Sequence, residues 1–415
     1  MTETRYQRRR SARWPALVVA FTLLAGCTGA GSSASPDESA VGGESTAPSQ
    51  GSPSSDEPIR IGVAIGQSGQ YQATAEGLIN AYNLWAKHTN EGEGLLGRPV
   101  EFIYYDDQGD PATGARLYER LITEDQVDLV FGPFSSSIVS AVAPVLEEHG
   151  YPMLTPGASA ADIWAQGWNY VFGMYSGGVK QTRGFLEFAE AQGVETLAVV
   201  NEASPFGQDV GDAAAELAEE YGIELTFQEE FPPLPTDLSG ILLQVRSASP
   251  DMLIGGTYYD ESVLLARQAN ELGLEVPYIA TTIGPDTADF VEALGDSAEG
   301  FIGSAEFSVK LETPGAAEFV AAYEAEYGIE PTYQAAMAYA SGQIMQEALE
   351  NSGSLDLEAL REELLRLETV TVAGTYEVDE RGFQVGKESF VIQVINGERE
   401  VVWPPEYASA DPISR

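Results

Sequence analysis

From Ile59 to Ala280, short runs rich in β-branched and aromatic residues alternate with longer stretches of helical spacing, and this alternation most restricts the fold. Strand-like runs at Ile59–Ile65, Val100–Tyr105, Val127–Phe131, Tyr151–Leu154 and Tyr170–Gly173 enclose helical patterns near Thr74–Thr89, Ala112–Thr123 and Ser136–His149. Leu78, Ala81, Tyr82 and Trp85 share one face of the first of these. A second series follows, with helical patterns near Lys180–Gln192, Phe206–Tyr221, Leu238–Ser247 and Glu261–Leu272 around strands at Thr196–Val200, Leu225–Glu229, Met252–Gly255 and Tyr278–Ala280. Strands joined by helices are joined by crossovers, which give parallel sheets covered on both faces. Two such series predict two doubly wound α/β lobes, each with its ligand-facing edge at the carboxyl ends of the strands.

Past Phe301 the pattern changes. Helical spacing at about Pro314–Tyr327, Tyr333–Glu350 and Leu357–Arg366 precedes β-rich runs at Thr375–Val378, Ser389–Ile395 and Glu400–Trp403, and Asn396-Gly397 is a strong hairpin turn. These segments alternate too little to build a core alone and are expected to return and complete both lobes. The expected partition is 59–175 with about 302–368 for lobe 1, and about 176–301 with 369–405 for lobe 2.

The amino terminus carries an address. Arg5, Arg8, Arg9, Arg10 and Arg13 precede an apolar run from Ala16 to Leu24, and Leu24-Ala25-Gly26-Cys27 closes it. This matches a lipoprotein signal: residues 1–26 are removed, Cys27 is lipidated, and the chain is held outside the cytoplasm by acyl chains. Cys27 is the single cysteine, so the folded part must hold without internal disulfides. Residues 27–58, which begin with Cys27, are mostly Gly, Ser, Ala, Pro and acid with almost no large apolar residue, a disordered tether holding the domain roughly 30 Å from the membrane. No later apolar run approaches the ~18 residues of a membrane span. The 388 residues after Cys27 (415 minus 27) are too many for one lobe.

Charge excludes some partners. Removing five basic residues and Glu3 with the signal leaves 16 basic against 63 acidic side chains, or −47. Nucleic acid and anionic lipid surfaces are poor partners for such a chain. So acidic a surface also predicts a salty or alkaline habitat, and a melting temperature that climbs with added salt tests this.

Several catalytic signatures are missing. There is no G-x-S-x-G elbow, Walker loop or H-E-x-x-H. His88 and His149 lack acidic or cysteine neighbours at ligand spacing, so neither metal nor cofactor is expected. Gly92-Glu93-Gly94-Leu95-Leu96-Gly97 follows a helix rather than a strand and reads as a turn, not a dinucleotide site. Asp106-Asp107-Gln108-Gly109-Asp110-Pro111 reads as a turn with Pro111 opening a helix. Two segments carry a binding signal. In Gly132-Pro133-Phe134-Ser135-Ser136-Ser137 a strand gives way to a helix whose free N–H groups suit a carboxylate. Thr155-Pro156-Gly157-Ala158-Ser159 repeats the event one strand later, with Ser159 and Asp162 at capping-box spacing. Helix capping alone would also explain both serines.

At these residues the chain resembles the leucine/isoleucine/valine-binding family of type I periplasmic solute-binding proteins, from about Ile59 to Trp403. The resemblance rests on Ile61–Gly69, Leu96–Val100, Asp106–Pro111, Gly132-Pro133 with its serines, Pro152–Ser159, Phe206-Gly207, Phe290–Gly300, Gly382–Gly386 and Val401–Trp403. It implies two lobes joined by a three-crossing hinge and closing over a solute, and no enzymatic activity. It further implies that Ser136 and Ser159, with the backbone at Gly157 and Ala158, hold a carboxylate. Tyr258 would close from the second lobe, Tyr71 and Gln72 would contact the ligand after the first strand, and Tyr333 is a further candidate. Where the family places an acid for the ligand ammonium this chain has Thr282, and a second acid is replaced around Ser176-Gly177-Gly178. Asp260, Glu261, Asp286 or Glu306 then takes over, or the solute has no α-ammonium. The expected function is a lipid-anchored, monomeric receptor that delivers an amino acid (branched-chain or aromatic), or a related small carboxylate or amide, to an ABC permease. A ligand sensor that signals by lobe closure is the alternative. An anchored hydrolase using Ser136 or Ser159 is remote, because no histidine or lysine stands by to activate them.

Overall fold

In a computed structural model of the chain, residues 57–310, 313–387 and 389–415 are described. Cys27, the signal segment and nearly all of the tether lie outside the described residues. The chain runs β1 (Ile59–Ala64), α1 (Gln72–Glu91), β2 (Val100–Tyr105), α2 (Pro111–Thr123), β3 (Leu129–Val130), α3 (Ser136–His149), β4 (Met153–Thr155), α4 (Asp162–Ala165) and β5 (Val171–Gly173). It continues through α5 (Gly178–Ala191), β6 (Thr196–Glu202), α6 (Pro205–Glu220), β7 (Glu224–Phe231), α7 (Ser239–Ala248), β8 (Met252–Gly256), α8 (Tyr259–Leu272), β9 (Tyr278–Thr281), α9 (Ala288–Leu294) and β10 (Phe301–Ala305). Last come α10 (Ala316–Tyr327), α11 (Tyr333–Ser352), α12 (Leu357–Arg366), β11 (Thr369–Thr371), β12 (Gly374–Tyr376), β13 (Phe390–Ile395) and β14 (Glu398–Trp403).

Local chemistry sets many of these boundaries. Asp110 caps α2 by accepting the Thr113 N–H at 2.8 Å, and Pro111 supplies the first helical residue, whose N–H would be unpaired in any case. Ser204 and Pro205 open α6 in the same way. The glycine-rich segment after α1 is a turn, with Leu95 and Arg98 bridged across it. Asn396 and Gly397, both at positive φ, turn β13 into β14.

The first sheet runs β2-β1-β3, all parallel, and β4 pairs with β5 beside it. The Gly132 N–H donates to Leu154 O at 3.0 Å and links the two groups. The second sheet runs β14-β13-β10-β9-β8-β6-β7; it is parallel from β7 to β10, while β13 and β14 are antiparallel. The antiparallel pair is the hairpin expected at Asn396-Gly397, added to an otherwise parallel doubly wound sheet. Both faces of this sheet are buried: along β6, Leu197 and Val199 enter one apolar cluster, Ala198 and Val200 the other. That double burial gives a continuous apolar run rather than an alternating one.

The late segments pack back onto the earlier ones. Helix α11 lies along α1, where the Trp85 ring presses on Gly342; a Cβ there would come within 2.3 Å of the ring. Trp85 is 1 % exposed, and burying a side chain of this kind contributes on the order of 1.5–3 kcal/mol. Strand β11, the short helix α9 and the single turn α4 have no counterpart in the periodicity, because each is too short to complete a pattern, and β10 has none because it is buried on both faces.

Three connections pass between the two sheets: after β5, after β10 and before β13. They meet in a polar knot. Glu306, after β10, accepts the Ser176 N–H at 2.9 Å and its hydroxyl at 2.5 Å. Ser176 also bridges to Gln384, and the Gly173 N–H donates to Gly382 O at 2.8 Å, joining the first and third connections. Lys387 is buried on the third and donates to Ala373 O at 2.5 Å.

Candidate functional site: a closed cleft between the lobes

The seat of the cleft is the loop from β3 into α3. Tyr118 of α2 donates to Phe131 O at 2.5 Å, and Tyr82 of α1 donates to Gly132 O at 3.0 Å. Both tyrosines are fully buried, so the loop is fixed from beneath. Ser135 has φ 93°, a strained value for a residue with a side chain. Its N–H donates to Gly157 O at 2.8 Å, and its hydroxyl accepts the Ile138 N–H at 3.3 Å. Ser135 is therefore the cap of α3, and Ser136 is released from that duty. The Ser136 hydroxyl instead accepts the N–H groups of Ser159 (3.3 Å) and Ala160 (3.2 Å), joining the loop after β4 to the helix start. The two loops pass so closely that a Cβ on Gly157 would meet Phe134 Cα at 2.5 Å.

The capping box expected of Ser159 and Asp162 is not formed. Residue Ala161 already has helical dihedrals and α4 has no side-chain cap, which leaves Ser159 outside the turn. Both serines thus escape the capping role that would have explained them.

Between the lobes lies a cavity of about 290 Å³ lined by Phe134, Ser136, Gly157, Ser159, Tyr175, Gln181, Phe206, Tyr258, Ile283 and Tyr333. Five of its walls are aromatic and none is charged. Phe206, Tyr258 and Ile283 approach from the second sheet and meet the α3 loop across the cleft. Tyr258 packs on Phe206 at 5.0 Å, on Tyr71 at 5.3 Å and on Phe134 at 5.9 Å between ring centroids. Tyr175 and Tyr333 form a second edge-to-face pair at 5.7 Å. The buried hydroxyls of Tyr175 and Tyr258 have no hydrogen-bond partner. The Tyr258 hydroxyl lies beside the Ser136 N–H and the Tyr71 hydroxyl, without meeting the geometry of a hydrogen bond to either. Burial holds both phenols protonated, well above the ordinary tyrosine range. They are therefore donors.

Of the residues singled out from the sequence, Ser136, Gly157, Ser159, Tyr258 and Tyr333 are brought together around this cavity. Ala158 is buried between two of them without forming a wall, and Tyr71 backs Tyr258. Gln72 is exposed as the first residue of α1 and points to no part of the cleft walls. Thr282 is also absent from the walls. Its hydroxyl donates to Thr257 O at 2.8 Å and accepts the Thr257 N–H at 3.0 Å, tying β9 to β8, while the next residue, Ile283, faces the cavity. Phe134, Tyr175, Gln181, Phe206 and Ile283 were not singled out. Phe134 and Phe206 sat inside noted segments, and Tyr175 immediately precedes Ser176, but a buried aromatic carries no sign of whether it faces a core or a cavity.

None of the four candidate replacement acids is a wall of the cleft. Glu306 is engaged by Ser176, and Asp260 is exposed in the first turn of α8. Burial raises Glu261 to about 7, with Glu202 nearby adding to the effect. Burial likewise raises Asp286 to about 7. His149 does gain an acidic neighbour through space, Glu119 at 2.9 Å, but among the described residues no three ligating side chains cluster as for a metal. No helix among them is long and apolar enough to cross a membrane.

Comparison with known proteins agrees with this architecture. The leucine-, isoleucine-, valine-, threonine- and alanine-binding protein of Pseudomonas aeruginosa is 24% identical over 296 residues, covering 71% of this chain and 78% of that protein. A leucine-binding protein from Thermotoga maritima superposes with a TM-score of 0.77 at 25% identity, over 83% of this chain and 97% of that one. The branched-chain amino acid transporter substrate-binding protein LivJ of Streptococcus pneumoniae, solved with isoleucine, gives 0.77 at 23% identity over 84% and 100%. The family profile described as periplasmic binding protein matches residues 58–399. The two doubly wound lobes, the three connections and the cleft between them therefore have a family: this chain belongs to the type I periplasmic binding proteins, among the relatives of the leucine/isoleucine/valine-binding proteins.

Proposed function

We propose that the chain is a lipid-anchored extracytoplasmic receptor that captures an amino acid (branched-chain or aromatic), or a related small carboxylate or amide, in this cleft and delivers it to an ABC permease. The observation that carries the reading is the pair of buried, unpartnered hydroxyls on two tyrosines that line an aromatic-walled cavity beside the start of α3. A buried donor without a partner costs about 1–3 kcal/mol, and a carboxylate or amide carbonyl accepting from it removes that cost. Ser159 and the N-terminal end of α3 supply further polarity at the same end of the cavity. The apolar body of the solute lies against Phe134, Phe206 and Ile283. The names of the amino-acid-binding relatives support the solute class. Binding energy is used to favour a closed arrangement of two bodies, for which we take 59–175 with about 302–368 and about 176–301 with 369–405, turning on the knot at Glu306. The tether and Cys27 keep that body near its membrane partner.

Calorimetric titration with leucine, isoleucine, phenylalanine, 4-methylpentanoate, benzoate and their amides tests the reading. At least one of these should bind, and Ser159→Ala should weaken it by about tenfold, the equivalent of one hydrogen bond to a charged group, with the melting temperature of the empty protein unchanged. Equal loss of binding and stability would make Ser159 a structural residue only.

A further inference from the structure

A second chamber adjoins the cleft. It encloses about 480 Å³, part of it open to solvent, and the two spaces share Tyr333 among their lining residues. Its remaining walls include Asp286, Phe307, Ser308, Ile392 and Arg399. The serine-lined seat for a carboxylate is in the first space; the second is made of quite different chemistry.

The charged groups of this chamber are mostly spoken for. Arg399 donates to Asp286 O at 2.8 Å and pairs with Glu330, and Lys310 pairs with Glu400 at 2.7 Å. Glu398 is exposed to solvent, and Asp286 is the buried exception. It is 6 % exposed; one carboxylate oxygen accepts the Gly284 N–H at 3.1 Å, and the other, buried, has no partner. An unpaired carboxylate oxygen in such a place is costly unless a donor meets it. One buried acceptor at the chamber, the second Asp286 oxygen, is therefore met by no donor of the protein.

We propose that the chamber behind Tyr333 receives a hydrogen-bond-donating cationic end of the solute, an ammonium carried at the far end from its carboxylate, and that Asp286 is the specificity-determining acceptor for it. This rests on the cleft reading above. It answers the absence of an acid at Thr282: the counter-charge stands four residues later in the chain, and it selects a distal amine in place of an α-amine. Movement of the Tyr333 ring joins the two spaces, and the solute spans them with its carboxylate at Ser136 and Ser159.

Two matched pairs test this by calorimetry on the full chain at about pH 8, where Asp286 is ionised: L-norleucine against L-lysine, and hexanoate against 6-aminohexanoate. The amine-bearing member of at least one pair should bind about tenfold or more tighter than its partner. Asp286→Asn should remove that preference and leave the amine-free partner within about twofold of its original affinity. The preference in the unmodified protein is measurable even if the variant does not fold. Amine-bearing members that bind no tighter in either pair, or a preference that survives Asp286→Asn, would overturn the assignment of Asp286. If the amine-free members still bind and lose affinity on Ser159→Ala, the cleft reading stands without the chamber; if none of the four binds, both fall.

Discussion

Replacing Tyr258 by phenylalanine separates the solute-binding role of its hydroxyl from any structural one, because the two roles predict opposite signs. Tyr258 is 5 % exposed, and its ring contacts with Phe206, Tyr71 and Phe134 do not involve the oxygen. Phenylalanine keeps all three. An unsatisfied buried hydroxyl costs on the order of 1–3 kcal/mol, so its removal should stabilise the empty protein by about 1 kcal/mol or somewhat more. A hydrogen bond from the same hydroxyl to a solute carboxylate is worth ~1.5–3 kcal/mol, so the variant should bind about 10- to 150-fold more weakly. Equilibrium urea unfolding gives the first quantity and calorimetric titration with the best-binding carboxylate the second. A variant that is less stable and binds unchanged would refute the reasoning, since the hydroxyl would then serve the fold. Tyr258→Leu provides the contrast: losing edge-to-face pairs worth ~0.5–1.5 kcal/mol each, it should lose both stability and affinity.

Other outcomes follow from the same geometry. Ser136→Ala leaves the buried N–H groups of Ser159 and Ala160 without their acceptor, so it should destabilise the empty protein by about 1–3 kcal/mol in urea unfolding, unlike Ser159→Ala. Glu261 is raised by burial from 4.5 to about 7, so its contribution is fully present below its unfolded value and is lost as pH climbs through about 7. The Glu261→Gln variant should accordingly show a shallower fall in stability than the parent between about pH 4 and pH 8, the two curves diverging by on the order of 1 kcal/mol or more; parallel profiles would count against it. A Cys27→Ala variant should be recovered in the culture fluid by immunoblot and bind its solute with unchanged affinity; loss of binding would mean that Cys27 does more than anchor.

Much of the architecture was legible because periodicity reports burial. Apolar positions at Leu78, Ala81, Tyr82 and Trp85 had to share a helix face, and Phe206–Tyr221 could only be a crossover between parallel strands. The hairpin at Asn396-Gly397 was equally plain, since few other dipeptides tolerate two successive positive φ values. Strand β10 was missed because five residues buried on both faces carry no alternation. The two serine-bearing segments lie at strand ends beside the cavity, but the division of labour within them was not legible. Nothing in Ser135-Ser136-Ser137 says which hydroxyl caps the helix; that depends on Ser135 adopting φ 93° so that its N–H reaches Gly157. Thr282 falls on the wrong side of its strand end for the same kind of reason. Its hydroxyl is drawn to Thr257 on the neighbouring strand, a contact between residues 25 positions apart that no local pattern encodes.

The central claim is that the cleft seats a small solute through its carboxylate, between Ser159 and Tyr258. A calorimetric titration of the full chain with the best-binding carboxylate and then with the corresponding amide tests it most directly. The account predicts saturable binding at one site per chain, about tenfold or more weaker for the amide, with the difference abolished when Ser159→Ala and Tyr258→Phe are combined. A carboxylate and amide bound equally well by the parent, or a double variant that keeps the full preference, would contradict it.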